Sequence, residues 1–192
     1  MKQQTILKST LCLLMAMLCN VAWAQIEVST SVDTPENTYS LLSKNGAYMS
    51  VGTGATQYRL GRFAFYAAEG ENVYKIYSVD GKKWVSYTKA ASYGGGANKA
   101  TLVDAQVDAQ AWYVVANGDY YNIAPLKNDG TLGGQYWNFH GGAGASNKTY
   151  IYDDNKTVGF YDKAGDGGSL WTLEKLTLAT EEQVNAAKAL LL

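Results

Sequence analysis

Three tyrosines recur along the chain, each at the start of a short apolar run, and this internal repeat restricts the fold more than any other feature. Every one of these runs, which begin at Tyr39, Tyr74 and Tyr121, leads into an Asx-Gly pair. The three pairs are Asn45-Gly46, Asp80-Gly81 and Asp129-Gly130. Such pairs supply the positive φ that a tight hairpin turn needs. A recurrence every 35 to 55 residues, roughly, indicates three copies of one structural unit.

A second signature, an aromatic strand, closes each unit. The three copies are residues 62–66, 110–115 and 169–173. The apolar runs between these landmarks are short, rich in Tyr, Val, Ile and Trp, and separated by Gly, Asn and Asp, which is typical of an all-β domain with many short strands. A β-sandwich has similar short strands and turns and is the alternative fold, but the threefold recurrence disfavours it.

One closing signature, Gln110-Ala111-Trp112, is a copy of the Q-x-W motif of the ricin B-type lectins. The third copy keeps Trp171, and the first has Phe63 or Phe65 instead. Residues 39–176 therefore resemble a ricin B-type β-trefoil, as found attached to secreted bacterial glycan-degrading enzymes. The resemblance implies an all-β domain of three degenerate four-strand repeats that binds carbohydrate.

The first 24 residues have the pattern of a secretory signal peptide. Lys2 and Lys8 flank an apolar run at 11–18, and Ala22-Trp23-Ala24 matches an A-x-A cleavage site. A membrane anchor is disfavoured because the run is shorter than the roughly 20 apolar residues of a spanning helix, and no later stretch is long enough. Lipid attachment at Cys19 is a weaker alternative. We expect cleavage near Ala24, residues 25–38 as an N-terminal linker, and export to the periplasm, cell surface or medium.

The composition excludes several function classes. Both cysteines lie in the signal peptide and His140 is the one histidine, so we expect no metal site and no cofactor. Removal of the signal peptide leaves 14 basic against 17 acidic side chains, which argues against a nucleic-acid partner. No carboxylate pair or nucleophile motif stands out, so we expect no enzyme.

The third unit contains the strongest candidate for a ligand site. In an extended strand, alternation directs Trp137 and Phe139 to the core and Tyr136, Asn138 and His140 to solvent. An exposed aromatic ring covers the apolar face of a pyranose, while amide and imidazole groups bond its hydroxyls. A solvated strand face without a ligand is the alternative interpretation.

The resemblance also implies a carboxylate that accepts hydrogen bonds from two sugar hydroxyls. Asp162 and Asp166 follow in the same unit, and Asp129 is another candidate. Asp166-Gly167 is equally well explained as a turn. The predicted carbohydrate site consists of Tyr136, Trp137, Asn138, His140, Asp162 and Asp166.

The character of the chain changes after Leu176. Residues 180–183, Thr-Glu-Glu-Gln, fit a capping box, and apolar residues then recur at helical spacing. These are Val184, Ala187, Leu190 and Leu191. Residues 177–192 are therefore predicted to form a short helical tail or the remnant of a linker, with an apolar side available to a protein partner.

These features together predict a secreted, non-catalytic, lectin-like module that binds glycans or tethers a partner to them. The alternative is a protein-binding β-trefoil of the adhesion or protease-inhibitor type with no sugar site. In that case the Gly-rich loops at 88–100 or 141–148 would make the contacts. Their glycines leave them too mobile for a rigid inhibitor.

Overall fold

Twelve short strands make up nearly all the regular structure of the computed structural model, which describes residues 25–46, 48–52, 61–89, 98–127, 130–138, 150–152 and 159–177. The strands are β1 Thr38–Ser43, β2 Ser50–Gly52, β3 Phe63–Ala67, β4 Val73–Ser78, β5 Lys83–Lys89, β6 Asn98–Val103, β7 Trp112–Asn117, β8 Tyr120–Pro125, β9 Tyr136–Asn138, β10 Tyr150–Tyr152, β11 Gly159–Tyr161 and β12 Trp171–Leu176. Two single 3₁₀ turns, Gln106–Asp108 and Gly167–Ser169, are the helical elements within these ranges.

Six of the strands close into a barrel. Starting from β1, antiparallel neighbours follow in the order β3, β4, β7, β8 and β12, and β12 pairs back with β1. Each predicted unit supplies two barrel strands, its first and its last. A closed ring has no free edge for another chain to pair with. The three strand pairs of the ring agree with the predicted three-unit division, and the β-sandwich alternative is wrong because the six strands form one ring. Within the described ranges the units have three, four and five strands, and not four each as predicted.

The barrel register places the two sequence signatures opposite each other in every unit. The Cα partners are Tyr39 with Phe63, Tyr74 with Trp112, and Tyr121 with Trp171. The opening tyrosine of a unit therefore always pairs with the aromatic residue that begins its closing strand. This register also decides that Phe63, and not Phe65, takes the place of the tryptophan in the first unit.

Equivalent residues of the three units build the core. The closing aromatics Phe63, Trp112 and Trp171 are fully buried. The barrel strands β1, β4 and β8 add a second triplet of fully buried aliphatic residues, which are Leu41, Ile76 and Ile123. Burial of each such side chain stabilises the folded state by about 1.5–3 kcal/mol, so the threefold pattern of apolar residues is itself the main source of stability.

The two closing tryptophans also fix the next layer of strands through their indole N–H groups. Trp112 Nε1 donates to the carbonyl of Val85 on β5 at 3.2 Å, and Trp171 Nε1 donates to the carbonyl of Trp137 on β9 at 2.9 Å. Both bonds are buried, where an unpaired carbonyl would be costly. The closing tryptophan is therefore both a core residue and the anchor of the outer strands.

The first unit satisfies the corresponding backbone carbonyl without a tryptophan. The equivalent carbonyl, that of Met49, accepts a hydrogen bond from the backbone N–H of Gly61 at 2.9 Å. A Cβ on Gly61 would lie 2.7 Å from the Phe63 ring and 2.9 Å from the Met49 oxygen, so only glycine fits. A backbone donor and a phenylalanine together take the place of the indole.

The segment that the sequence predicts as a linker, residues 25–38, packs on the barrel. Ile26 is buried, and the N–H of Ser29 donates to the carbonyl of Phe65 at 2.8 Å. The N–H of Glu27 donates to the Tyr39 hydroxyl at 2.9 Å. The segment therefore covers the barrel next to the opening tyrosine of the first unit.

Two sequence predictions concern residues outside the described ranges. These are the signal peptide at residues 1–24 and the helix in the tail after residue 177. Both stay predictions. Within the described ranges, no helix has the length and hydropathy required to cross a bilayer.

Candidate functional site

The antiparallel pair of strands β9 and β11 carries the region that the sequence singles out. Its register pairs Tyr136 with Tyr161 and Trp137 with Phe160. Directly opposite residues of an antiparallel pair share a face, so the two tyrosines lie on one face and Trp137 and Phe160 on the other. The inner face packs on Trp112, whose ring centroid is 4.9 Å from that of Trp137 and 6.2 Å from that of Phe160.

Trp137 is fully buried, which confirms its predicted position in the core. Its carbonyl accepts the hydrogen bond from Trp171 Nε1. Its own Nε1 is buried and has no hydrogen-bond partner among the residues that the structure describes. Trp137 therefore anchors the β9–β11 strand pair to the core, and its side chain cannot contact a ligand on the outer face.

Asn138 is also buried, with 2% of its surface exposed, so the prediction that it faces solvent is wrong. Its side-chain nitrogen donates to Asp166 Oδ1 at 2.8 Å and to Ser169 Oγ at 2.8 Å. The strand alternation that the sequence predicts is correct. Asn138 is nevertheless covered, because the segment before β12 folds over that end of the outer face.

Asp166 has a structural role in this covering segment, which comprises residues 164–170. Its Oδ1 also accepts a hydrogen bond from the N–H of Gly168 at 2.9 Å and so caps the 3₁₀ turn. A Cβ on Gly167 would meet the side-chain oxygen of Asn45, which would have to move aside. The alternative interpretation of Asp166-Gly167 as a turn therefore describes its geometry.

A second amide holds the covering segment from the barrel side. Asn122 on β8 donates through its side-chain nitrogen to the carbonyls of Ala164 at 3.0 Å and Ser169 at 2.7 Å. Its own oxygen accepts from the side chain of Asn117 at 2.8 Å. With both ends tied to buried amides, the segment is a fixed part of the third unit.

The covering segment leaves one part of the outer face open, which we call the tyrosine face. It comprises Tyr136, Tyr161, Asp162 and Lys163. Both tyrosines are half-buried, whereas Asp162 and Lys163 are exposed. Lys163 Nζ lies 5.7 Å from the Tyr161 ring centroid. The face thus presents two aromatic rings that are held by the β9–β11 strand pair. The Asp162 carboxylate and the Lys163 ammonium group follow Tyr161 at its border.

The site prediction missed Tyr161 and cannot be followed at two positions. Tyr161 lies on a strand of three residues, which is too short to show a periodic pattern, so only its pairing with Tyr136 reveals it. His140 and Asp129 lie outside the described residues. The structure thus pairs Tyr136 with Tyr161 on one open face and leaves Asp162 exposed directly after Tyr161. It places Trp137, Asn138 and Asp166 beneath or beside that face.

The second unit has no comparable face in the part that the structure describes. Trp84 and Tyr87 lie on opposite sides of β5, as their spacing predicts. Trp84 packs against Tyr66 and Tyr77, while Tyr87 packs against Trp112. Tyr93 is outside the described ranges. Across those ranges, no cluster of three or more His, Cys, Asp or Glu side chains could hold a metal ion.

Comparison with known proteins identifies the fold. No family model matches the sequence, and no curated protein matches it. Among solved structures, the BEL β-trefoil in its apo crystal form 3 is similar, with a TM-score of 0.51 and 14% identical residues. The match covers 81% of this chain and 100% of that chain. A likeness at this identity shows the fold alone, and it confirms that the chain forms a β-trefoil.

Proposed function

We propose that the protein is a secreted, non-catalytic carbohydrate-binding module that holds a glycan on the tyrosine face of its third unit. The observation that carries this proposal is that Tyr136 and Tyr161 are directly opposite each other in the β9–β11 register. This pairing places two half-exposed rings side by side on a strand pair that is anchored in the core. Tyrosine offers an apolar ring with a polar tip, which suits the mixed surface of a sugar.

The border of the tyrosine face supplies the polar groups that a sugar requires. The Asp162 carboxylate accepts hydrogen bonds from sugar hydroxyls, and the Lys163 ammonium donates to sugar oxygens. Asp162 is exposed and makes no ion pair or hydrogen bond within the described part of the chain, so it is available to a ligand. Of the two predicted carboxylates, Asp162 therefore suits direct contact and Asp166 a supporting role.

The remaining predicted site residues act indirectly in this proposal. Trp137 anchors the β9–β11 strand pair to the core, and Asn138 with Asp166 holds the covering segment that follows Tyr161 and Asp162 in the chain. His140 follows β9 in the sequence, and its participation stays a prediction. Support from buried amides keeps the rings in place before the ligand arrives, which lowers the entropy cost of binding.

An open face of this size implies weak binding at a single site. A dissociation constant near 1 mM corresponds to only about −4 kcal/mol. Useful retention then comes from several sites on one chain or from linkage to other modules. The predicted signal peptide and the lack of a recognisable catalytic motif complete the proposal of an exported binding module.

The proposal is tested by screening the exported protein on a glycan array at high protein concentration. We expect binding to a defined glycan that Tyr161→Ala and Tyr136→Ala each weaken about tenfold or more, because each removes a stacking ring. Tyr113→Ala is the matched control, since Tyr113 is a half-buried tyrosine on β7 of the barrel. Binding that survives both substitutions would refute the site, and a blank array would refute the function.

A further inference from the structure

A groove of about 540 Å³ lies at the end of the barrel where β4 and β8 begin. None of its lining residues belongs to the tyrosine face. The N-terminal segment forms one wall through Gln25 and Ile26, and the turn between β3 and β4 forms another. Tyr74, Val114 and Tyr121 line it from the barrel strands. Ligand pockets typically have such volumes and occur in the mouths of β-barrels.

The opening tyrosines Tyr39 and Tyr74 occupy equivalent positions, but their hydroxyl groups have different surroundings. The hydroxyl of Tyr39 is occupied, because the N-terminal segment bonds it through the backbone of Glu27. Tyr74 is 9% exposed and lines the groove, yet its hydroxyl has no hydrogen-bond partner among the described residues. Burial and the neighbouring Tyr121 raise the pKa of Tyr74, so the hydroxyl stays protonated and can both donate and accept.

The rim of the groove provides two further unused polar groups. Glu71 and Asn72 are exposed, and neither side chain forms an ion pair or hydrogen bond within the described part of the chain. Asn72 has a φ of 58°, and its carbonyl accepts a hydrogen bond from the N–H of Val114 at 2.9 Å. That bond ties the rim to the barrel. The described lining includes no basic side chain.

We propose that this groove binds the terminal one or two residues of a sugar chain, as a second site separate from the tyrosine face. The aromatic and aliphatic walls contact the apolar face of a sugar ring, and its hydroxyls bond to the Glu71 carboxylate, the Asn72 amide and the Tyr74 hydroxyl. A concave site contacts a sugar from several sides, so it suits the end of a chain. The inference rests on the proposed carbohydrate-binding function and adds a site and a ligand class to it.

The inference is tested by methyl NMR of the exported protein, with the methyl groups of Ile26, Val73 and Val114 as reporters because all three line the groove. The probes are a panel of neutral hexoses, N-acetylhexosamines and uronic acids and their disaccharides. We expect saturable shifts of these methyls with at least one sugar of the panel. The hydroxyl-deleting variant Tyr74→Phe should weaken binding about threefold to tenfold, and Glu71→Gln about tenfold.

Two matched controls isolate the groove. Glu69→Gln makes the same change on an exposed residue of the same turn that does not line the groove, and Tyr77→Phe removes a hydroxyl elsewhere on β4. Both should bind like the wild type. Equal effects of Glu71→Gln and Glu69→Gln, or shifts that do not saturate, would overturn the inference.

The tyrosine-face variant Tyr161→Ala separates this inference from the proposed function. If it abolishes array binding and no sugar of the panel shifts the groove methyls, the second site is refuted and the proposed function stands. If the groove methyls saturate while array binding survives Tyr161→Ala, the groove stands and the tyrosine face is refuted. If the array is blank and no methyl moves, both are refuted.

Discussion

The first and third units occupy equivalent places in the barrel but satisfy the same buried carbonyl with different chemistry. In the third unit the indole of Trp171 fills the core and also donates to the Trp137 carbonyl. In the first, Phe63 fills the core and the backbone N–H of Gly61 donates to the Met49 carbonyl. What the fold requires at this position is an aromatic volume together with a donor, and not a tryptophan as such.

The largest effect should come from replacing the residue that does both tasks. We expect Trp171→Phe to lower the free energy of unfolding by about 3 kcal/mol, because it leaves a cavity and an unpaired buried carbonyl. Urea unfolding at equilibrium measures the loss. Trp137→Phe is the matched control. It should cost only about 1 kcal/mol, since the Trp137 Nε1 has no partner to lose within the described chain. Equal losses would show that the hydrogen bond is unimportant.

The second prediction concerns the backbone donor of the first unit. Gly61→Ala should destabilise the fold by about 2 kcal/mol, because the new methyl overlaps the Phe63 ring and the Met49 carbonyl. Gly165→Ala changes a glycine of the third unit that has nothing within 4 Å of the added Cβ. Its stability should change by less than about 0.5 kcal/mol. If Gly61→Ala leaves the stability unchanged, the first unit does not depend on this close contact.

The third prediction tests the covering segment that only the third unit needs. Asn138→Ala removes hydrogen bonds to Asp166 and Ser169, which should cost about 1.5 kcal/mol. Hydrogen exchange should show faster exchange of the Gly168 N–H, which depends on Asp166. Tyr136→Ala, two residues away on the same outer face of β9, should leave that exchange unchanged. If both variants loosen the segment equally, the Asn138 side chain is not what holds it.

The smallest effect belongs to the N-terminal segment on the first unit. Thr30 donates to Glu36 from its backbone N–H at 2.9 Å and from its hydroxyl at 2.8 Å, which lowers the pKa of Glu36 from 4.5 to about 2. Because the folded pKa is depressed, this contribution is complete above pH 4.5 and is lost as the pH falls toward 2.

The Glu36→Gln variant tests this titration. Its stability should fall less than that of the wild type between pH 4.5 and pH 2, as followed by urea unfolding across that range. Glu69→Gln, which changes an exposed glutamate, should match the wild type. Parallel losses in all three proteins would assign the acid sensitivity to other carboxylates.

The architecture was predictable because its determinants are local and repeated. An opening tyrosine, a glycine turn and a closing aromatic recur in each unit, and the barrel register pairs the first with the last. The role of Gly61 was not predictable in this way. Its N–H acts through the backbone, so no side-chain motif marks it.

The site was predictable only in part, because burial of an outer strand face depends on distant residues. Alternation correctly places Trp137 inside, but it cannot show that the segment before β12 covers Asn138. Tyr161 was missed because three residues of β11 carry no period, and only the pairing with β9 brings it beside Tyr136. The participation of Asp162 in a site stays a prediction.

The pairing of β1 with β12 brings the two ends of the barrel together, with Thr38 beside Leu176. A short peptide could therefore join these ends, and the chain could instead be cut at the Gly118-Asp119 turn between β7 and β8 while every barrel pairing is kept. In the natural chain order, the β1–β12 pair joins the two barrel strands that are farthest apart in sequence, so the entropy cost of closing its loop is the largest of any pairing. A circular permutant of this kind would transfer this largest loop-closure cost to another pair of strands. Its folding rate would change while the barrel would not.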